Sequence, residues 1–376
     1  MNKTPQQAGT RLSDSVVGRS VPLIPAETRL PVACAVVTVL YSYLGALWLN
    51  RHGHSPALIV AMREWVNQPA GVGEDFGPLG IGMLLIVAGY AMTAAAWRRG
   101  LGIVAGLGWL IPTVWAAVTV SASLLLLGAE PLATATRTEV TGEGFLANLV
   151  LTGGVAETPA FVGLAWPVTT GLLFGAVLLA TVSLLSRLPW LAVAVQLCAL
   201  ALGIGLTAAA TAQHDAGEGP GSIGMISAFV AFPVLGELSW LARAGHLPAW
   251  LAGAFGLIGL GLIVLAEILY PALTPWWYPV TAIFAVLLTL LALTARRQIG
   301  DRPVVRWLAS RALPILLTVG TVGYGLLGFL ANAVPLLVAY PLALLATLLA
   351  AEALYRGVMR PIAGVIGRRA TAGGAT

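Results

Sequence analysis

Charged residues are scarce in this chain of 376 residues, making up 9% of it, against roughly 25% in soluble domains. Hydrophobic residues make up 58%, more than a water-soluble fold of this length can bury, which excludes the soluble globular classes. Lysine is nearly absent, and the arginines gather in alternate connections, so nothing indicates nucleic acid as a partner. We therefore expect an all-α, polytopic helical bundle whose surroundings are the lipid bilayer.

Cysteine is also rare, and both cysteines, Cys34 and Cys198, fall in apolar runs where small packing residues are expected. No group of His, Cys, Asp and Glu has the spacing of metal ligands, so we expect no metal. The chain shows no internal repeat, which removes the main sequence feature of many transporter folds.

Ten apolar runs have the length of a membrane span, about 20 residues for a hydrocarbon core of roughly 30 Å. The clearest pair lies between Gly77 and Val120 and is joined by Trp97-Arg98-Arg99-Gly100, which predicts a hairpin with its tip at a membrane surface. The first run begins near Leu30, too late and too long for a typical cleaved signal peptide. The remaining runs lie at 161–186, 189–212, 223–242, 249–270, 276–295, 312–332 and 335–355.

The distribution of basic residues predicts the orientation. With both termini in the cytoplasm, 17 of the 20 basic residues are cytoplasmic, and the outer loops keep only Arg51, Arg63 and Arg137. We therefore expect a multi-pass plasma-membrane protein. Its predicted parts are a disordered cytoplasmic tail (1–28), a ten-helix membrane domain (29–356) and a basic cytoplasmic tail (357–376).

Several motifs follow one another in a fixed order along the chain. They are Ala88-Gly89-Tyr90, Arg98-Arg99, Ile111-Pro112, a short amphipathic segment near Gly144, Trp166, the segment AFVAFPVLGELSWLARAGHLP and the closing ALYRGVMRPIAGVIGRR. The ordered set resembles acyltransferase family 3, a family of membrane O-acyltransferases. The resemblance implies transfer of an acyl group from cytoplasmic acyl-CoA, a co-substrate, to a hydroxyl of an envelope glycan, a lipid or an exported metabolite.

Three polar positions of that family differ here. The family's first helix has an arginine followed, after ten residues, by a histidine. Arg29 matches the arginine, but Leu40 stands where the histidine is expected. The glutamate expected five residues after Trp166 is Gly171, and the closing Glu-Arg-Pro has methionine in place of glutamate.

Acyl transfer needs cations for the phosphates of acyl-CoA and a base for the acceptor hydroxyl. The base is sought at Tyr41, at His52 and His54 beyond the first helix, and at Glu267 near the outer end of its span. The alternatives are a solvated loop for the histidines, an interfacial acid for Glu267, and a topological role for each arginine. The cation candidates are Arg98, Arg99, Arg243, Arg296 and Arg297, with Arg29 as the catalytic arginine that the resemblance implies.

Three residues inside the predicted spans are further candidates. Glu237, beside the motif glycine of its segment, is expected to snorkel or to pair with the arginine six residues on. Glu352 is expected to pair with the arginine four residues on. Trp166 and Pro167 are expected inside a span, with the helix kinked at the proline.

The expected function is thus membrane acyl transfer, with Gly89, Tyr90, Trp166 and Glu237 as motif residues. The alternative is a catalytically degenerate relative that acts as a scaffold or binds a lipid-linked saccharide, which the missing histidine and glutamates favour. A transporter is a third class, against which the scarcity of intramembrane charge argues.

Overall fold

The computed structural model describes residues 25–53, 57–72, 76–100, 108–129, 139–151, 160–211, 221–269, 278–295, 297–331 and 333–365. Within these ranges every regular element is a helix. The helices are α1 (Ala26–Arg51), α2 (57–70), α3 (Gly77–Arg99), α4 (Leu110–Leu126), α5 (Gly142–Leu149), α6 (Trp166–Leu185), α7 (Pro189–Thr211), α8 (Gly221–Arg243), α9 (Ala249–Leu269), α10 (Tyr278–Thr294), α11 (Arg297–Gly300), α12 (Pro303–Ser310), α13 (Ala312–Ala331) and α14 (Leu336–Val365).

Seven of the helices in the described ranges are long and apolar enough to cross a membrane, namely α1, α3, α6, α7, α9, α13 and α14. Helices α4 and α10 are apolar but only 17 residues long. Helix α8 has 23 residues, carries Glu237 and corresponds to the sixth predicted run. An all-helical architecture with several membrane-length helices is what the sequence predicts.

The centre of the bundle is the packing of α8 against α3, the most extensive helix pair in the described structure. Glycines allow the two backbones to touch. A Cβ at Gly89 would overlap the carbonyl oxygen of Pro233, and a Cβ at Gly236 would overlap that of Ile86. Helices α1, α6, α7, α9 and α10 surround this pair. Close contact through small residues is the usual way in which membrane helices associate without a hydrophobic driving force.

A second group of helices lies beside this centre. Helix α4 packs against α5, α13 and α14, so the two helices of the predicted hairpin belong to different groups. A π-helical turn at Tyr41–Leu47 in α1 contacts another at Val319–Gly323 in α13. Two further π-helical turns lie at Arg63–Asn67 and Tyr355–Met359.

The contacts fix which helix ends lie together. Helices α1 and α3 run antiparallel, because Gly80 faces Ala35 while Tyr90, further along α3, lies near Glu27. Helices α3 and α8 run in the same direction, so the Arg29 end of α1 and the last residues of α3 and α8 share one end of the bundle. We call it the arginine-bearing end. Helical structure extends beyond two predicted boundaries, since α1 begins at Ala26 and α14 continues to Val365, while residues 1–24 and 366–376 lie outside the described ranges.

Candidate functional site

Three aromatic rings lie together at the arginine-bearing end, and two arginines stand close to them in sequence at the ends of α3 and α8. Trp97, from the last turn of α3, stacks on His246 with ring centroids 3.9 Å apart and an interplanar angle of 23°. Trp240 of α8 lies 5.7 Å from Trp97 and 5.4 Å from His246. Arg98 and Arg243 follow these tryptophans in sequence. We call the five residues the aromatic–arginine cluster.

Local backbone chemistry explains how His246 reaches this position. Helix α8 ends at Arg243, and Gly245 takes a positive φ of 75°. The amide of His246 donates to the carbonyl of Leu241 at 2.9 Å. This is the Schellman arrangement, in which a glycine in the left-handed region reverses the chain after a helix. The reversal returns the imidazole toward the last turn of α8 and onto Trp97.

The cations of the cluster are accessible. Arg98 and Arg243 are exposed, whereas the three rings are half-buried. Arg243 also lies close to the phenol of Tyr90, one of the predicted motif residues. Exposed guanidinium groups bind phosphate oxygens through paired N–H donors, and tryptophan faces accept a stacked base. The belt of aromatic and basic residues that anchors helices at a membrane interface has the same composition as this cluster.

The other predicted cations are either already paired with an acid or lie outside the described part of the structure. Arg29 makes an ion pair with Asp301 at 2.5 Å, so its guanidinium is already engaged. The side chains of Arg99 and Arg297, and the whole of Arg296, fall outside the described structure. Arg98 and Arg243 are therefore the two predicted cations that the structure describes in one exposed cluster.

Two of the candidate bases belong to α1 and its end, with Tyr41 near the middle of the helix and His52 at the end opposite Arg29. Tyr41 opens the π-helical turn, and its ring is 6.0 Å from that of Phe76. His52 lies just after α1, where Nδ1 is 2.9 Å from the carbonyl oxygen of Trp48 and the imidazole stacks on the Trp48 indole at 4.0 Å. Donation from Nδ1 to that carbonyl gives Nε2 the acceptor lone pair that a general base uses. His54 lies outside the described ranges.

Leu40, where the resemblance predicts a histidine, is an apolar core residue. Leu40 is 8% exposed and belongs to the main hydrophobic core. Arg29 and His52 are 23 residues apart on one helix, or about 34 Å at the α-helical rise. The arginine-bearing end and the candidate base are thus separated by the thickness of the bundle.

Two expectations for single residues are wrong. Trp166 is the first residue of α6 and of its membrane-length span, and Pro167 stands in the first turn, where its missing N–H breaks no helical hydrogen bond, so the expected kink is absent. The Trp166 indole packs edge-on against Phe229 at 4.7 Å. Glu237 neither snorkels nor pairs with Arg243, because it is fully buried. It accepts instead from the amide of Gln196.

Two other candidates have a clear place. Glu352 pairs with Arg356, as predicted. Its carboxylate also accepts from the guanidinium of Arg311 at 2.8 and 3.0 Å and from the indole N–H of Trp307 at 3.1 Å. Glu267 is half-buried in the last turn of α9, near the end away from the arginines.

Sequence reasoning missed His246, Trp240 and Gln196. The signal for the first two was present, since the motif segment carries both a tryptophan and a histidine on either side of Arg243 and has a glycine where the chain reverses. Gln196 had a weaker signal, a lone amide in a helix that is otherwise almost wholly apolar.

Fold and cluster together define an all-helical protein with several membrane-length helices and an exposed aromatic and cationic site at one end. The chain matches no protein-family model, no curated protein and no solved structure in comparisons with each.

Proposed function

We propose that the chain is a ten-helix, acyltransferase-like plasma-membrane protein that binds acyl-CoA at the aromatic–arginine cluster. The observation that carries the proposal is the joining of Trp97, Trp240 and His246 with two exposed arginines on the ends of neighbouring helices. Seven helices are long and apolar enough to cross a membrane, and α4, α8 and α10 are then the three further spans. Both termini and the arginine-bearing end are then cytoplasmic by the positive-inside rule.

Each part of acyl-CoA has a matching group in the cluster. The phosphates are strongly anionic and pair with the guanidinium groups of Arg98 and Arg243. The adenine ring stacks on the exposed part of the tryptophan faces. The acyl chain is apolar and enters the lipid-facing surface beside the cluster. Anionic lipid headgroups share the phosphate chemistry but lack the base, which gives the test its second ligand.

The acceptor belongs to the other end of α1, where a glycan, lipid or exported metabolite arrives from outside. We assign His52 as the base that takes the proton of the acceptor hydroxyl. The separation of about 34 Å along α1 and the buried Leu40 favour the second candidate function, a catalytically degenerate relative that binds the thioester without transferring it.

Calorimetric titration of the detergent-purified chain with acetyl-CoA and with longer acyl-CoAs tests donor binding. We expect saturable binding that the double variant Arg98→Ala, Arg243→Ala weakens by roughly 10–100-fold, since each charge-assisted hydrogen bond contributes about 1–3 kcal/mol. Arg306→Ala is the matched control, because Arg306 is exposed on α12 and lies outside the cluster. Absence of binding at millimolar acyl-CoA by folded protein refutes the proposal, as does equal binding of dioleoyl phosphatidic acid.

Release of CoA thiol from acetyl-CoA by the protein in native membrane vesicles then separates the two candidate functions. An enzyme that uses His52 loses about 10²–10⁴-fold of this activity in His52→Gln while it keeps the wild-type affinity for acetyl-CoA. Binding without any thiol release in the wild type establishes the degenerate relative instead.

A further inference from the structure

A buried polar cluster joins three helices in the interior of the bundle, apart from both sites above. Gln196 of α7 donates through Nε2 to the hydroxyl oxygen of Thr181 in α6 at 2.8 Å and to Oε1 of Glu237 in α8 at 3.3 Å. Glu237 is 0% exposed and Gln196 is 1% exposed. The cluster therefore has no access to solvent in this conformation.

Two oxygens of this cluster have no hydrogen-bond partner among the described residues. They are Oε2 of Glu237 and Oε1 of Gln196, and they belong to two groups that already touch through their other atoms. Leaving two buried acceptors without a donor costs free energy in a low-dielectric interior. One proton placed on Glu237 Oε2 turns one acceptor into a donor and satisfies the other.

Among the residues that the structure describes, none supplies a cation to the carboxyl of Glu237. On its own helix the nearest charge is Arg243, which lies close to Tyr90 of α3 instead. Helix α9 contributes Glu267 and α10 contributes Tyr278, both toward the opposite end. The charged or titratable groups of the described helices that pack on α8 are Tyr90 and Arg98 on α3, Arg187 after α6, Cys198 on α7, Glu267 on α9 and Tyr278 on α10.

We propose that Glu237 is an intramembrane proton-binding site, with the proton held on Oε2 and donated to Oε1 of Gln196. The carboxyl and the amide then form a cyclic pair, in which Gln196 Nε2 donates to Glu237 Oε1 and Glu237 Oε2 donates to Gln196 Oε1. Thr181 accepts the second amide hydrogen and fixes the orientation of the amide. An ionisable residue within a membrane helix marks a functional site by default, and this one is held by polar partners on two further helices.

Release of the proton requires the helices to move. The O–H bond of Glu237 breaks, its electron pair stays on the carboxylate, and the proton passes to water. Glu237 precedes Arg243 by six residues, or about 9 Å of helix, so the arginine-bearing end is the nearer source of water. Because a dehydrated, unpaired carboxylate is strongly disfavoured, proton release is coupled to separation of α8 from α6 and α7.

Infrared difference spectroscopy of the full chain in an ester-free detergent tests the site. At neutral pH we expect the C=O stretching band of a protonated carboxylic acid, which shifts to lower frequency in D2O. The near-isosteric variant Glu237→Gln should lose this band, and Glu267→Gln, which changes an acid of the bundle outside the cluster, should keep it. A wild type without the band, or an unchanged band in Glu237→Gln, overturns the proposal.

A second variant tests the geometry of the pair and does not depend on removing the acid. Gln196→Met keeps the length of the side chain but removes the oxygen that accepts the proton, so the band should persist and move to higher frequency. An unmoved band shows that the acid does not donate to Gln196 and also overturns the proposal. Neither measurement involves acyl-CoA, so its result is independent of the donor site.

Discussion

Gly89 is the residue at which a motif of the sequence and a packing requirement of the structure coincide. It stands in Ala88-Gly89-Tyr90, and a Cβ added to it would overlap the backbone carbonyl of Pro233. Backbone atoms cannot rotate away as the end of a side chain can. The substitution Gly89→Ala must therefore push α3 from α8 along the most extensive helix contact of the bundle.

The cost of Gly89→Ala follows from two opposing terms. Inserting a methyl group into a packed interior costs about 1–3 kcal/mol, and the higher helix propensity of alanine offsets up to about 1 kcal/mol. The net destabilisation is about 1–2 kcal/mol. With an unfolding entropy of about 2.1 cal/mol/K per residue, a chain of 376 residues changes its melting temperature by about 1.3 °C per kcal/mol, so we expect a decrease of about 1–3 °C.

The matched control is Gly171→Ala, at another motif position that holds a helical glycine. A Cβ added to Gly171 meets no atom within 4 Å, so only the gain in helix propensity remains, and the melting temperature should stay the same or rise slightly. The assay is thermal unfolding of both variants in one detergent, followed by tryptophan fluorescence. A Gly89→Ala protein that melts with the wild type, or an equal loss in Gly171→Ala, refutes this account of the α3–α8 contact.

Two further substitutions test other parts of the structure by the same thermal assay. The Glu352 carboxylate pairs with Arg311 and accepts from the indole N–H of Trp307, so Glu352→Gln, which removes its charge, should destabilise the protein by about 1–3 kcal/mol. The control Glu143→Gln, at an exposed position of α5, should leave the melting temperature nearly unchanged. Leu40→His introduces the histidine that the resemblance predicts, but it places an imidazole in an apolar core. It should therefore lower the melting temperature and leave CoA thiol release no higher than in the wild type; unchanged melting, or a gain of activity, contradicts the packing seen at Leu40.

The helices could be predicted from the sequence because lipid imposes a simple rule on length and hydropathy. Each of the ten apolar runs contains a helix, and α7 and α9 each begin at the predicted residue and end within one residue of the predicted end. The pairing of helices could not be predicted. The sequence placed α3 beside α4, whereas Gly82 and Gly89 of α3 face α8, more than a hundred residues away. Small residues permit close contact between helices but do not determine which helix is the partner.

The candidate site was predictable in part for a related reason. Charge asymmetry alone placed Arg98 and Arg243 at one surface, and the structure brings them to a common end. The stacking of His246 on Trp97 depends on the chain reversal at Gly245, a tertiary consequence of a local turn. The partner of Glu237 was assigned wrongly because proximity along the chain favoured Arg243, while the actual donor comes from another helix.

Helix α8 contributes to both proposed sites, yet it presents them on different sides. Six residues separate Glu237 from Arg243, a rotation of about 240° around a helix of 3.6 residues per turn. Glu237 therefore faces the partners on α6 and α7, while Arg243 faces Tyr90 on α3. The same helix closes against α3 through Gly236, one residue before Glu237. Separation of α8 from α6 and α7 displaces the end of α8 as well, so proton release at Glu237 is expected to move Trp240 and Arg243 of the aromatic–arginine cluster. The coupling between the two proposed sites then runs through the movement of α8 as a body and not through any bond between Glu237 and Arg243.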